Sequence, residues 1–232
     1  MNLIKPFDIK RVEDDDGWRW YEIDGQKYIS VTQVLDCIVH QKLKSWFQNK
    51  SANYQKKKLQ ETADIGNNLH DLIESDALGH NVNVPGSLFP AFNKWLELKE
   101  KHNIKAHEIE IMVYSKDLGV AGTLDMIGEF EGSLCVMDIK TGFYSVKAGW
   151  QMACYHKCVT ELSESPQIDD LGIVGIQIHR DGDRASVFKY EHINSCLRAF
   201  IGTFEAWKML YYRKLKKMEW KYLSENSMRI VL

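Results

Sequence analysis

Two alternating segments, Thr123 to Phe130 and Ser133 to Thr141, stand on either side of Glu131-Gly132. An acidic residue followed by glycine favours a tight hairpin, because glycine accepts the left-handed backbone that such a turn demands. A hairpin here fixes the register by counting: Phe130 faces Ser133, and stepping outward brings Asp125 opposite Asp138 and Thr123 opposite Lys140. A four-residue loop gives the same register. Directly opposed residues on one face hold their Cβ atoms roughly 4.5 to 5.5 Å apart, and Asp138 and Lys140, two apart in one strand, share that face. Two carboxylates and an ammonium therefore converge. The face also carries Ile127, Leu134 and Val136, so it is not simply the wet side of a hairpin. Facing carboxylates repel and resist desolvation unless a cation intervenes, and a hard divalent ion bound by oxygens removes that conflict. On geometry alone a solvated acidic hairpin end, with Lys140 as local counter-ion, stays open.

The 232 residues, 44% of them apolar, suit one domain over 1–232 with an ordinary core. No apolar run approaches the roughly 20 residues that cross a bilayer, and the N-terminus lacks an apolar signal region. A cytoplasmic location without membrane contact is expected. Five cysteines, Cys37, Cys135, Cys154, Cys158 and Cys196, form no CxxC pair, which argues for burial rather than a disulfide framework or zinc knuckle. A net charge of −2 announces no global field for nucleic acid. Locally, Lys42 to Lys58 holds Lys42, Lys44, Lys50, Lys56, Lys57 and Lys58 with Trp46, Phe47 and Tyr54, and no acid. Lysines interleaved with rings suit a strand's phosphates and bases; a solvated helix face with core aromatics reads equally well.

Along the chain, residues 1–17 lack a clear period and read as a loose arm or edge segment. Trp18 to Ile23 and Gln26 to Val31 flank Asp24-Gly25, a second hairpin, and Ser30 or Thr32 caps a helix running toward Phe47. From Tyr54 to Ala77 an apolar helical stripe contains Leu59, Ala63, Gly66, Leu69, His70 and Ile73. His70 lies on its inward face, and Gly66, one turn earlier, permits close approach to backbone or ligand. A helix over 90–101 and a strand over 107–114 follow. In that strand Glu108, Glu110 and Met112 share one face and Ile109, Ile111 and Val113 the other, so Glu110 joins the acids if the strand pairs beside Thr123 to Phe130. A helix from Ser145 places Gln151 and Tyr155 on one face near its positively polarised start. Strands over 171–178 and 185–190 precede a last helix, 193–215, with Cys196, Phe200, Phe204, Trp207, Leu210 and Tyr211 as its core stripe and a basic end. The order predicts an α/β fold with one central mixed β-sheet flanked by helices.

Together, Gly66-x3-His70, Gly122-x2-Asp125, Asp138-Ile139-Lys140-Thr141 and Gln151-x3-Tyr155 resemble the PD-(D/E)xK nuclease superfamily. The similarity is to its RecB-like exonuclease branch, which also includes phage recombination and mitochondrial exonucleases. It covers about Asp64 to Tyr155. It implies a restriction-endonuclease-like core over 61–232, with the N-terminal hairpin and basic helical region over 1–60. It further implies that Asp125, Asp138 and Lys140 are catalytic, with the acids as metal ligands and Lys140 positioning or activating water. His70, the Ile139 carbonyl and Glu110 are further candidate ligands. Thr141, Gln151 and Tyr155, with Lys56, Lys57 and Lys58, become candidate substrate contacts. Leu124 stands where the family name has proline. No counterpart of the cluster-binding cysteines follows Tyr155, so no iron-sulfur cluster is expected.

The implied activity is Mg2+- or Mn2+-dependent hydrolysis of DNA phosphodiesters from free ends, in the processing, recombination or repair of phage or mobile-element DNA, with any annealing or replication partner unspecified. A structure-specific endonuclease on the same fold, a non-catalytic nucleic-acid-binding protein, and hydrolysis of a small phosphate ester are the alternatives.

Overall fold

The computed structural model describes residues 3–4, 7–38, 51–141 and 144–223. One mixed sheet runs through them. Strands β1 (Ile9–Glu13), β2 (Arg19–Ile23) and β3 (Gln26–Ser30) form an antiparallel meander, with β1 as the edge strand where the sequence has no alternation. A short helix α1 (Val31–Leu35) follows; the expected continuation toward Phe47, and the lysines and rings at 42–50, lie outside the described residues. Helices α2 (Ala52–Ala77) and α3 (Phe89–Lys101) lead into the long hairpin strands β4 (Lys105–Ser115) and β5 (Val120–Phe130), then β6 (Ser133–Thr141). Helix α4 (Val146–Leu162) crosses to β7 (Gly172–Ile178) and β8 (Ala185–Lys189), and α5 (Ile193–Leu210) and α6 (Tyr212–Lys217) close the fold.

The sheet is mixed because β3 pairs β5 and β6 pairs β7 in parallel, while the other neighbours are antiparallel. Helices cover both faces. Against one face, Leu69, Ile73, Phe92 and Trp95 of α2 and α3 bury Met126, Phe130, Met137 and Ile139. Against the other, Cys154, Tyr155 and Cys158 of α4 and Phe200, Phe204 and Trp207 of α5 bury Leu124, Ile127 and Val136. The central alternation of β5 and β6 thus feeds two cores at once, which pins the register. The cysteines at 154 and 158 are packing residues, as their spacing suggests, each 0% exposed.

Two apolar stripes stop earlier than their spacing predicts. In α2 burial begins at Gly66; Leu59 is 41% exposed, since the first turns run beyond the core. In α5 the stripe ends at Trp207, and Leu210 and Tyr211 face outward, because the helix breaks at Tyr211 and α6 turns back to bury Leu215. Lys214 on α6 meets Asp14 and Asp16 at 2.9 and 3.1 Å, so the basic end answers the acidic run near β1. Among the described residues no helix is long and apolar enough to cross a membrane.

Candidate active site

Strand β5 is shared between partners. Its last five residues pair β6 from Phe130–Ser133 to Met126–Met137, the register that the Glu131-Gly132 turn dictates, with both turn residues at positive φ. Its first residues pair β3 instead, through Val120 and Ala121. Between them β5 and β6 part. Asp125 and Asp138 are the first residues past the last rung, so the two acids sit where the sheet opens. The next expected opposition does not form: Lys140 pairs with Gln177 of β7, and Thr123 meets the Tyr21 hydroxyl at 3.3 Å, because β5 has already turned toward β3.

The carboxylate of Asp125 fills the gap. Its Oδ2 accepts the Ile139 backbone N–H at 2.7 Å, in place of the lost strand partner, and lies 3.1 Å from His70 Nε2. Ile139 is thereby held by its N–H, and its residue lines the cleft. His70 comes from α2, which can lie this close because Gly66 has no side chain: a Cβ there would stand 2.8 Å from Thr141 Oγ1. The other ring nitrogen, Nδ1, bonds the Glu74 carboxylate. His70, Glu74 and Glu110 each offer a donor atom within 4.8 Å of the others.

Glu110 reaches this cluster through an unexpected backbone. Its φ is +52°, rare for a side chain of this size and costly by roughly 1–3 kcal/mol. The β4–β5 ladder passes from Ile109–Met126 to Ile111–Leu124 around it. The left-handed residue turns the strand over: Ile109 packs with α2 and α3, whereas Ile111 and Val113 pack with α4 and α5. The single apolar face expected for Ile109, Ile111 and Val113 is therefore wrong, and in β5 Leu124 and Met126 switch faces at the same level. Glu110 occupies the crossover.

Asp138 is 1% exposed. Its Oδ1 takes Lys140 Nζ at 2.7 Å, and its Oδ2 is buried with no hydrogen-bond partner. Burial, with the Asp125 charge added, pushes Asp138 up to about 6 against the pull of Lys140. Burial likewise lifts Glu110 to about 7, with the charges of Glu74 and Asp125 helping. Burial would lower His70, but the bonds to Asp125 and Glu74 outweigh it and hold it near 10. Asp125 stays low despite burial, through the charges of Lys140 and His70, and Lys140 is raised by Asp138 and Asp125 against its own burial. Neighbouring carboxylates raise Asp138, Glu110, His70 and Lys140 alike, whereas Asp125 is held down by the two cations beside it. Carboxylate oxygens with one imidazole nitrogen, and a buried carboxylate oxygen lacking any partner, are a donor set that fits a hard divalent cation such as Mg2+ or Mn2+.

A cleft of about 520 Å³ opens onto this group, lined by Thr62, Gly66, His70, Glu110, Lys140 and Arg180 among others. Lys140 also borders a smaller hollow with Thr32, Ser145 and Gln151. Of the expected substrate contacts, Thr141 lines the cleft and Gln151 the hollow. Tyr155 does neither: it is 2% exposed and packs on Gly122, where a Cβ would come within 2.5 Å of its ring. Its hydroxyl accepts from Gln151 Nε2 at 3.4 Å, so Tyr155 supports Gln151 from below. Lys57 and Lys58 are exposed near the start of α2, with Lys58 3.4 Å from Glu61; the side chain of Lys56 lies outside the described residues.

Among the cleft residues that escaped the sequence reading are Glu74 and Arg180. Glu74 had a signal, since it stands one helical turn after His70 on the same face. Arg180, at a hairpin turn after β7, had none.

No family model and no curated protein matches the chain. Among solved structures it is similar to that of an alkaline exonuclease (LHK-Exo) from Laribacter hongkongensis, at 14% identity and a TM-score of 0.35, over 82% of this chain and 94% of that one. A superposition that loose fixes no chemistry, so the side chains have to carry it.

Proposed function

We propose that the protein is a divalent-metal-dependent deoxyribonuclease that hydrolyses phosphodiesters from the free ends of DNA. One observation carries the reading. At the opening between β5 and β6, His70, Asp125 and Asp138 meet beside an ion-paired Lys140, and Asp138 keeps one buried oxygen without a partner.

Asp125 and Asp138, with His70 and Glu110, would hold Mg2+ or Mn2+, and Ile139 would add its carbonyl. Bound there, the ion supplies Lewis acidity toward a phosphate oxygen and lowers the pKa of a water. Glu74 fixes the His70 ring through Nδ1, leaving Nε2 directed at Asp125. Lys140, tied to Asp138 at 2.7 Å, presents a positive charge where negative charge grows on the phosphate. Gln151, propped by Tyr155, contacts the strand on the far side of Lys140. Lys57 and Lys58 add backbone attraction at the rim. Processing of phage or mobile-element DNA, in recombination or repair, is the setting such a nuclease suits.

End-labelled linear single strands, linear duplex and a closed circle, each incubated with Mg2+, Mn2+ or chelator, test this. Metal-dependent loss of the linear substrates alone is expected, and Asp138→Ala and Lys140→Ala should abolish it while the protein stays folded. A cut circle would convert the reading to an endonuclease. No cutting with either metal would overturn it.

A further inference from the structure

The cleft is polarised. Helix α2 and β4 supply His70, Asp71, Glu74 and Glu110 on one side, and the ends of the parallel neighbours β6 and β7 supply Lys140, Thr141 and Arg180 on the other. Lys140 already has an ion-pair partner in Asp138. Arg180 is different. Among the described residues no carboxylate forms an ion pair with its guanidinium; its one hydrogen bond runs from Nη2 to the Thr141 carbonyl oxygen at 2.9 Å, and its Nε is buried without an acceptor.

An uncompensated, partly buried guanidinium is costly, because buried donors without acceptors lose their hydration for nothing in return. Asp181 and Asp183 follow Arg180 closely in sequence and could have neutralised it. Instead Asp181 accepts the Asp183 N–H, and Asp183 lies 3.7 Å from Arg184. The bond to Thr141 fixes the guanidinium beside the residue that follows Lys140, and Arg180 lines the cleft there. Such a fork matches a carboxylate or a phosphate with two parallel bonds, and beside the acids of a nuclease cleft the anion that arrives is a phosphate.

We propose that Arg180 is the anchor for a backbone phosphate adjacent to the one that is cut. This rests on the nuclease reading and adds to it a second phosphate position, reached from β7. Lys140 and Arg180 then form one cationic wall along which the strand's backbone runs, facing the acids across the cleft. Two neighbouring strands lie about 4.8 Å apart in a sheet, so cations at their ends can address successive phosphates of a single strand.

Binding of a short single-stranded oligodeoxynucleotide is measured in chelator, where no turnover occurs, for wild type, Arg180→Gln and Arg180→Lys, and steady-state cleavage is followed with Mg2+ and Mn2+. Arg180→Gln should bind about tenfold more weakly and lose about 0.7 from the slope of log affinity against log salt, the share of one phosphate on a single strand. Arg180→Lys should keep the slope and recover only part of the affinity. With metal, KM should rise while kcat changes little. Oligonucleotides carrying a neutral methylphosphonate at one position at a time locate the contact: wild type should lose affinity at a single position where Arg180→Gln is indifferent. An Arg180 that merely ties β6 to β7 through Thr141 predicts a lower melting temperature with salt slope and methylphosphonate profile unchanged, and that result overturns the anchor while wild-type cleavage persists. Wild-type protein that neither binds nor cuts the strand overturns the nuclease reading and the anchor together.

Discussion

Gly66 offers the sharpest separation of stability from activity. It lies inside α2 one turn before His70, and an added Cβ would stand 2.8 Å from Thr141 Oγ1, short of ordinary contact at 3.4 Å by about 0.6 Å. Gly202 lies inside α5 with nothing within 4 Å of a built Cβ. Replacing either by alanine gains helix propensity of about 0.8–1.0 kcal/mol. In a chain of this size that is roughly 2–4 °C of melting temperature. Gly202→Ala should show the full gain and unchanged turnover. Gly66→Ala has to relieve the clash as well. Threonine is branched at Cβ and stiff, so the helix moves, and His70 moves with it away from Asp125. A displacement of 1 Å can cost about a hundredfold in rate, and 0.6 Å of this scale about tenfold. Thermal melts with chelator and initial rates of DNA cleavage with Mn2+ read the two effects separately. Gly66→Ala should melt below Gly202→Ala and cleave about tenfold more slowly than wild type, and Gly66→Ala/Thr141→Ala should recover part of both losses. A Gly66→Ala protein that cleaves like wild type would refute the claim that this contact sets the distance of α2 from β5.

Saturating Mn2+ should raise the melting temperature, since a ligand at a hundred times its Kd stabilises the folded state by about 2.7 kcal/mol, roughly 5–10 °C here; Asp138→Ala should lose most of the shift, and an equal shift in that variant would move the cation elsewhere. His156 on α4 bonds the Leu171 carbonyl oxygen through Nε2 at 2.9 Å, and burial holds its pKa below the ordinary value. The unfolded chain therefore binds the extra proton first as pH falls, so this contribution is complete above about pH 6.5 and is lost below it. His156→Gln keeps a donor and removes the titration, and its melting temperature in chelator should fall less steeply than wild type between about pH 7 and pH 5; parallel curves would count against a buried neutral His156.

What could be read from the chain was whatever short-range chemistry decides. A glycine turn and strict alternation set the β5–β6 register as far as Met126 and Met137, and the acidic pair at 125 and 138 followed by counting. The apolar period of α2 located His70 on the right face. The losses began where long-range packing overrides local preference. Nothing in residues 107–114 signals that Glu110 adopts a left-handed backbone, so alternation alone puts Ile109 and Ile111 on one face. Pairing Thr123 with Lys140 requires a hairpin to continue once begun, whereas the first residues of β5 are claimed by β3. Tyr155 carries a hydroxyl, which suggests a ligand contact, yet the absence of a side chain at Gly122 opens a buried slot that its ring fills. Arg180 stands alone in a turn and gains meaning only when β7 aligns with β6.

These departures gather at one level of the sheet. There the β5–β6 ladder stops, Asp125 accepts a backbone donor that a strand would have satisfied, Glu110 takes a strained conformation, and Asp138 buries an oxygen without a partner. The strain at Glu110 and the unmet oxygen of Asp138 are each unfavourable, by roughly 1–3 kcal/mol, and neither would persist in an isolated hairpin. They persist because β5 and β6 are clamped between two independent cores, α2 and α3 on one face and α4 and α5 on the other. The apolar packing holds the strands apart at the opening whether or not the polar groups are satisfied. On the proposed reading, a site made in this way would have its acids fixed before any cation arrives, leaving little reorganisation for binding to drive, and the unmet oxygen of Asp138 would become affinity for the ion that meets it.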